Sequence, residues 1–147
     1  MNNIVLDKTY IAELPVQASS TAQQVFFPVL QNLDRKLTTG IQTYNATFFG
    51  KSQAGNTLAP QNLIACSYLN LVVGDVNQIW NMPLQDFQVQ YYNGQPSVPF
   101  LFEFNNLPII WAKSYVYISD TSQIPGSSCV FMFNIHYTDV PVPVTNK

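Results

Sequence analysis

Charge is the scarcest property of this sequence. Six basic and eight acidic side chains in 147 residues make it only 10% charged, where a soluble domain ordinarily carries about a quarter. The longest basic run is the pair Arg35-Lys36, too short to neutralise the row of phosphates on which nucleic-acid affinity depends, so no nucleic-acid partner is expected. Histidine occurs once, as His136, and glutamate twice, as Glu13 and Glu103. The only cysteines are Cys66 and Cys129, fewer than the about four or more that staple a small secreted scaffold. They read as two small buried hydrophobes of a chain folded in a cytosol, with pairing left open. No apolar run approaches the ~18 residues of a membrane-spanning segment. Residues 1–17 also lack the basic and apolar stretches of a secretory signal. Helix periodicity is missing, and ten prolines leave little room for it.

What fills the vacancy is amide and hydroxyl: 14 Asn, 13 Gln, 10 Ser and 10 Thr, beside 14% aromatics. The surface is therefore polar but nearly uncharged. Alternation with a period of two marks the strands. Phe131, Phe133, Ile135 and Tyr137 alternate with Met132, Asn134 and His136, and Leu69, Leu71 and Val73 alternate with Tyr68 and Asn70 inside a run over 64–73. Further strands are expected over 84–91, through Phe100, Phe102 and Phe104, over 111–119, over 37–49, and in a short piece at 24–27. Turn chemistry separates them at 50–60, 92–99 and 120–128. Residues 28–33 are expected to form a single turn. Seven or eight strands in one chain predict an all-β antiparallel β-sandwich, jelly-roll-like, with an immunoglobulin-like sandwich or a small closed barrel as other closures. We read 1–147 as one domain with a peripheral amino-terminal segment 1–8 and an extended tail 139–147, where Pro141 and Pro143 disfavour a place inside a sheet.

Catalytic material is thin. His136 lies on the strand face opposite the phenylalanines, where a surface or cross-strand position explains it as well as general-base work does. Glu13 and Glu103 are the only pair of glutamates for glycosidase chemistry, and nothing in their surroundings selects them. Asp120 with Ser122, and Asp75 with Asn77, are calcium-compatible in type but read as turn residues. No metal-spaced cysteines, phosphate loop or nucleophile motif is present. The expectation is a protein that is not an enzyme, with no cofactor and no metal. The aromatic residues Trp80, Trp111, Tyr44, Tyr68, Tyr91, Tyr92, Tyr115 and Tyr117 suit either subunit contacts or, with the amides, a sugar-stacking platform.

One local pattern is more specific. Residues 25–45 place Phe26-Phe27-Pro28 and Leu30 ahead of the polar turn Asn32-Leu33-Asp34-Arg35-Lys36, then a long strand with Gly40-Ile41. Residues 107–119 hold Trp111, Lys113, Ser114 and Tyr115, and the aromatic strand 130–139 follows. Over about a third of the chain this resembles small jelly-roll virion proteins of tailless icosahedral bacteriophages. The resemblance implies a capsid subunit, penton-like, that forms a ring with copies of itself, pentameric at a vertex, and touches other capsid proteins. It also implies a virion location after synthesis in the host cytoplasm.

Physics leads to the same class separately. A subunit that buries much of its surface against neighbours benefits from amides, which wet interfaces accommodate without stranding ions. Few charges also mean little repulsion between identical copies. The interaction candidates are Trp80, Tyr92, Trp111, Pro141 and Pro143. The alternative is a carbohydrate- or receptor-binding β-sandwich module with a glycan partner, using Trp80 or Trp111.

Overall fold

In a computed structural model of the chain, the described residues are 8–28, 30, 33, 36–44, 51, 52, 54–74, 78–89, 91, 92, 95, 96, 100, 101 and 108–141. They form ten strands: β1 (Lys8–Val16), β2 (Gln24–Phe26), β3 (Lys36–Tyr44), β4 (Ser67–Val73), β5 (Gln78–Pro83), β6 (Tyr91–Tyr92), β7 (Gln95–Pro96), β8 (Phe100–Leu101), β9 (Tyr115–Ile118) and β10 (Cys129–Pro141). One short helix, α1 (Gln61–Ala65), precedes β4. Eight strands make two four-stranded sheets, β1-β10-β3-β8 (sheet A) and β2-β9-β4-β5 (sheet B), while β6 and β7 pair separately.

The order follows a simple rule. Leaving out the β6–β7 ribbon, the first strand pairs with the last, the second with the second-last, the third with the third-last, and the middle two with each other, all antiparallel. The chain is a nested ribbon turned back at β4–β5 and rolled until β10 meets β3 and β4 meets β9. Apart from β4 and β5 at the turn, such rolling leaves consecutive strands of these eight in opposite sheets, the strand order of a jelly roll. The all-β sandwich expected from alternation is the fold observed.

The core lies between the sheets, because each strand sends alternate residues inward. Ala12, Leu14 and Val16 come from β1, Leu69, Leu71 and Val73 from β4, Val116 and Ile118 from β9, and Phe131, Phe133 and Ile135 from β10. At about 25 cal/mol per Å² of apolar surface, this shared burial is the main stabilising term. A second apolar cluster sits on the outer side of sheet A, where Leu58, Val130 and Met132 are buried with Ile11 and Tyr44 packed against them.

Several boundaries differ from the alternation reading. Residues 84–87 form a 3-10 turn rather than a strand, since Leu84 and Phe87, three apart, are both buried and a three-residue turn puts them on one side. Ile64 belongs to α1, and β4 starts at Ser67. Trp111–Lys113 is likewise a 3-10 turn ahead of β9. Lys8 opens β1, and β10 runs through Pro141, three residues into the segment read as tail. Pro141 pairs with Lys36 after a register shift, a strand-end position where its missing N–H is tolerated. Residues 45–50, 102–107, 142–147 and most of segment 1–8 lie outside the described residues.

Candidate functional site

The outward face of sheet B is built in two cross-strand rows. Gln24, Tyr117, Tyr68 and Pro83 stand opposite one another across β2, β9, β4 and β5, and Phe26, Tyr115, Asn70 and Asn81 form the next row. The intervening residues Val25, Val116, Leu69 and Met82 belong to the core or pack against it, so parity turns both rows outward. None of these eight side chains is charged at neutral pH. The face is a strip of four aromatic rings set among amides.

Its exposed large hydrophobic residue is Phe26, with 51% of its surface open to solvent. The reason is local. Phe26 and Phe27 are adjacent in an extended segment, so one ring must face out when the other faces in. Phe27 takes the core, 4.9 Å from the Trp111 ring in an edge-on arrangement and 5.2 Å from Phe133. Phe26 rests on Tyr115 instead, with ring centroids 5.1 Å apart and tilted by 49°. Beside it, Ala22, Gln23, Gln24, Phe26 and Tyr117 line a shallow cleft of about 380 Å³. The Gln23 Nε2 donates to the Tyr117 hydroxyl at 3.3 Å.

The outward face of sheet A carries the histidine. His136 Nε2 is 2.9 Å from Gln42 Oε1, to which Asn134 Nδ2 also donates at 3.3 Å. The imidazole is half-buried in an amide cluster on the face opposite Phe133 and Ile135. Glu13 sits on the same outward face and accepts from Ser52 Oγ at 2.6 Å and Asn56 Nδ2 at 3.1 Å. Its carboxylate holds a loop, and Glu103 is outside the described residues. Asp120 accepts from both the backbone N–H and the hydroxyl of Ser122, and those bonds, the hydroxyl's first, hold its carboxyl below the ordinary value. It caps the 3-10 turn Thr121–Gln123. Asp75 and Asn77 lie outside the described residues. No group of three or more His, Cys, Asp or Glu side chains gathers among the described residues.

Both cysteines are free thiols. Burial pushes the Cys129 thiol up from its ordinary value. Cys66 is half-buried and lines a second shallow cleft with Asn62, Ala65, Asp120 and Gln123.

The interaction candidates are dispersed. Trp80 lies in β5 opposite Leu71, Tyr92 in β6 opposite Gln95, and Pro141 at the end of β10 opposite Lys36. Pro143 is outside the described residues. Trp111 requires a correction: its ring is only 4% exposed and joins the core against Phe27, because the 3-10 turn rotates it inward. It cannot serve as an exposed platform without unfolding that turn. Phe26, Gln23 and Gln24 were not singled out from sequence, although the Phe26-Phe27 doublet in a strand already required one exposed ring. No family model, no curated protein and no solved structure matches this chain. No helix among the described residues is long and apolar enough to cross a membrane.

Proposed function

We propose that this chain is a structural virion protein, a capsid subunit that assembles with copies of itself into a penton-like ring at a vertex and contacts other capsid proteins there. The observation that carries the reading is the jelly-roll strand order joined to an outer surface made of amides and aromatics in place of charge. Jelly rolls build viral shells, but they also build lectins and other modules. The strand order narrows the class, and the uncharged surface favours the member that must bury itself against neighbours. The register adds a second point of support. Lys8 pairs with Tyr137, so the segments 1–7 and 142–147 both join the domain at the same end of sheet A, where they can act as arms toward neighbours. Tyr92 and the end of β10 at Pro141 are the contact residues of this reading. The subunit is made in the host cytoplasm and resides in the virion.

The test is the mass of the purified chain in solution by light scattering. The expected result is a closed assembly, for a pentamer five times the 16.6 kDa of the chain. Of Tyr92→Glu and removal of residues 142–147, at least one is expected to give a folded species of lower order. A chain that stays monomeric to millimolar concentration overturns the proposal.

A further inference from the structure

We infer that the cleft at the β2 edge of sheet B is a binding site for a neutral glycan, independent of the assembly reading and on the opposite edge of that sheet from β5. Three observations converge there. First, Phe26 is 51% exposed and its ring packs beside that of Tyr115, with centroids 5.1 Å apart. It is a supported flat apolar surface, not a lone surface side chain, since Tyr115, Tyr117 and Tyr68 continue the strip across β9 and β4. Second, the cleft beside it measures about 380 Å³, within the roughly 300–1,000 Å³ range of small-molecule sites. Third, its polar groups are the Gln23 and Gln24 amides and the Tyr117 hydroxyl, with no ionised side chain among its lining residues.

That donor and acceptor set selects the ligand chemistry. An anion or a cation would find no counter-charge and would lose hydration on entering. A purely apolar ligand would cover the Gln23 and Gln24 amides and the Tyr117 hydroxyl without offering them partners, at a cost for each stranded group. A pyranose satisfies both halves of the site. One face of the ring is a patch of C–H groups that packs flat on Phe26, and its equatorial hydroxyls both donate and accept, as the carboxamides of Gln23 and Gln24 do. The phenol of Tyr117 accepts from Gln23 Nε2, which leaves its own O–H to donate to a sugar oxygen. Because the cleft is shallow and open, weak affinity is expected, in the millimolar to upper micromolar range for one or two sugar units.

The test titrates the full-length chain with a panel of neutral oligosaccharides (gluco-, galacto- and manno-configured di- and trisaccharides) and one sialylated trisaccharide, followed by NMR or calorimetry. Oligomeric mass is recorded on the same samples. The expected result is saturable binding of at least one neutral sugar, little binding of the acidic one, a loss of about tenfold or more in Phe26→Ala, and a several-fold loss in Gln24→Ala. Phe26 and Gln24 are exposed, and the circular dichroism spectrum of each variant checks its fold. No binding up to about 20 mM, or binding indifferent to both substitutions, overturns the inference. So does Phe26→Ala changing the oligomeric mass without any sugar effect, since that makes the face a protein contact. The assembly reading is judged by mass alone, so either proposal can fail while the other stands.

Discussion

At the scale of single residues, the most informative side chain is Ser114, which the sequence places in a strand-entry pattern without assigning it a role. Ser114 is fully buried, and its hydroxyl donates to Ile110 O at 2.9 Å while accepting from the Val72 N–H at 3.0 Å. The β4–β9 ladder ends at Asn70 opposite Tyr115, because the preceding residues Trp111–Lys113 curl into a 3-10 turn. The next donor of β4 would be an orphan in the protein interior, and the Ser114 hydroxyl replaces the missing strand carbonyl. Ser114→Ala therefore strands the Val72 N–H and is expected to cost about 1–3 kcal/mol, read as a lowered denaturant midpoint with an unchanged slope. Ser119→Ala is the control. Its hydroxyl donates to Cys66 O at 2.7 Å, but in an exposed position, where loss is expected to stay within about 0.5 kcal/mol. If the two variants are equally stable, Ser114 does not act as the ladder's terminal acceptor.

At the scale of elements, legibility in the sequence tracked how cleanly each strand separates an inner from an outer face. β10 was readable because Phe131, Phe133 and Ile135 bury fully while Asn134 and His136 do not. β1 was not, for a physical reason: its outward residues include Ile11 and its inward ones include Ala12, so hydropathy barely alternates. Pro15 blurs it further, although proline is acceptable here because β1 is an edge paired only with β10. The turn at 84–87 does not separate from a strand in the sequence, because Leu84 and Phe87 fit a short apolar run of either period. The surface cleft was half legible, in the Phe26-Phe27 doublet, but its depth depends on a pairing with β9 about ninety residues away, which no local pattern encodes. Strand parity turns Ile11 outward, where it packs against Leu58 at the end of a covering loop. That loop is held by Glu13 through Ser52 and Asn56, turns at Gly55 with φ 85°, and returns Leu58 onto Val130 and Met132. The carboxylate accepts two hydrogen bonds in a partly buried position, so Glu13→Ala is expected to lower stability by about 1–2 kcal/mol. Limited trypsin digestion of the folded protein should then cut faster after the exposed Lys51. An unchanged rate of cleavage there would show that the loop is held by Leu58 alone.

At the scale of the whole molecule, the uncharged surface makes a statement about association that differs from that of an ordinary domain. Outward positions of sheet B carry tyrosines, phenylalanine and amides, and the chain's net charge is only −2. If the proposed ring forms, contacts between copies must rest on apolar and amide burial, with few ion pairs to contribute. Salt screens interactions between exposed charges over a Debye length of about 8 Å at physiological ionic strength and about 3 Å at 1 M. It leaves apolar burial intact or slightly strengthened when the anion is kosmotropic. The dissociation constant of the assembly should accordingly change by less than about threefold between about 0.05 and 0.5 M sodium chloride. Sedimentation velocity over a dilution series at each salt concentration measures this directly. Because the proposed ring would repeat one heterologous contact on every copy, even a small charge contribution per interface would be multiplied around it, which makes the measurement sensitive. A tenfold or greater weakening at high salt would place Lys8, Lys36, Lys51 or the few carboxylates in the contact and remove low charge as the basis of assembly. Indifference to sodium chloride together with sensitivity to Tyr92→Glu would locate the contact in the uncharged surface.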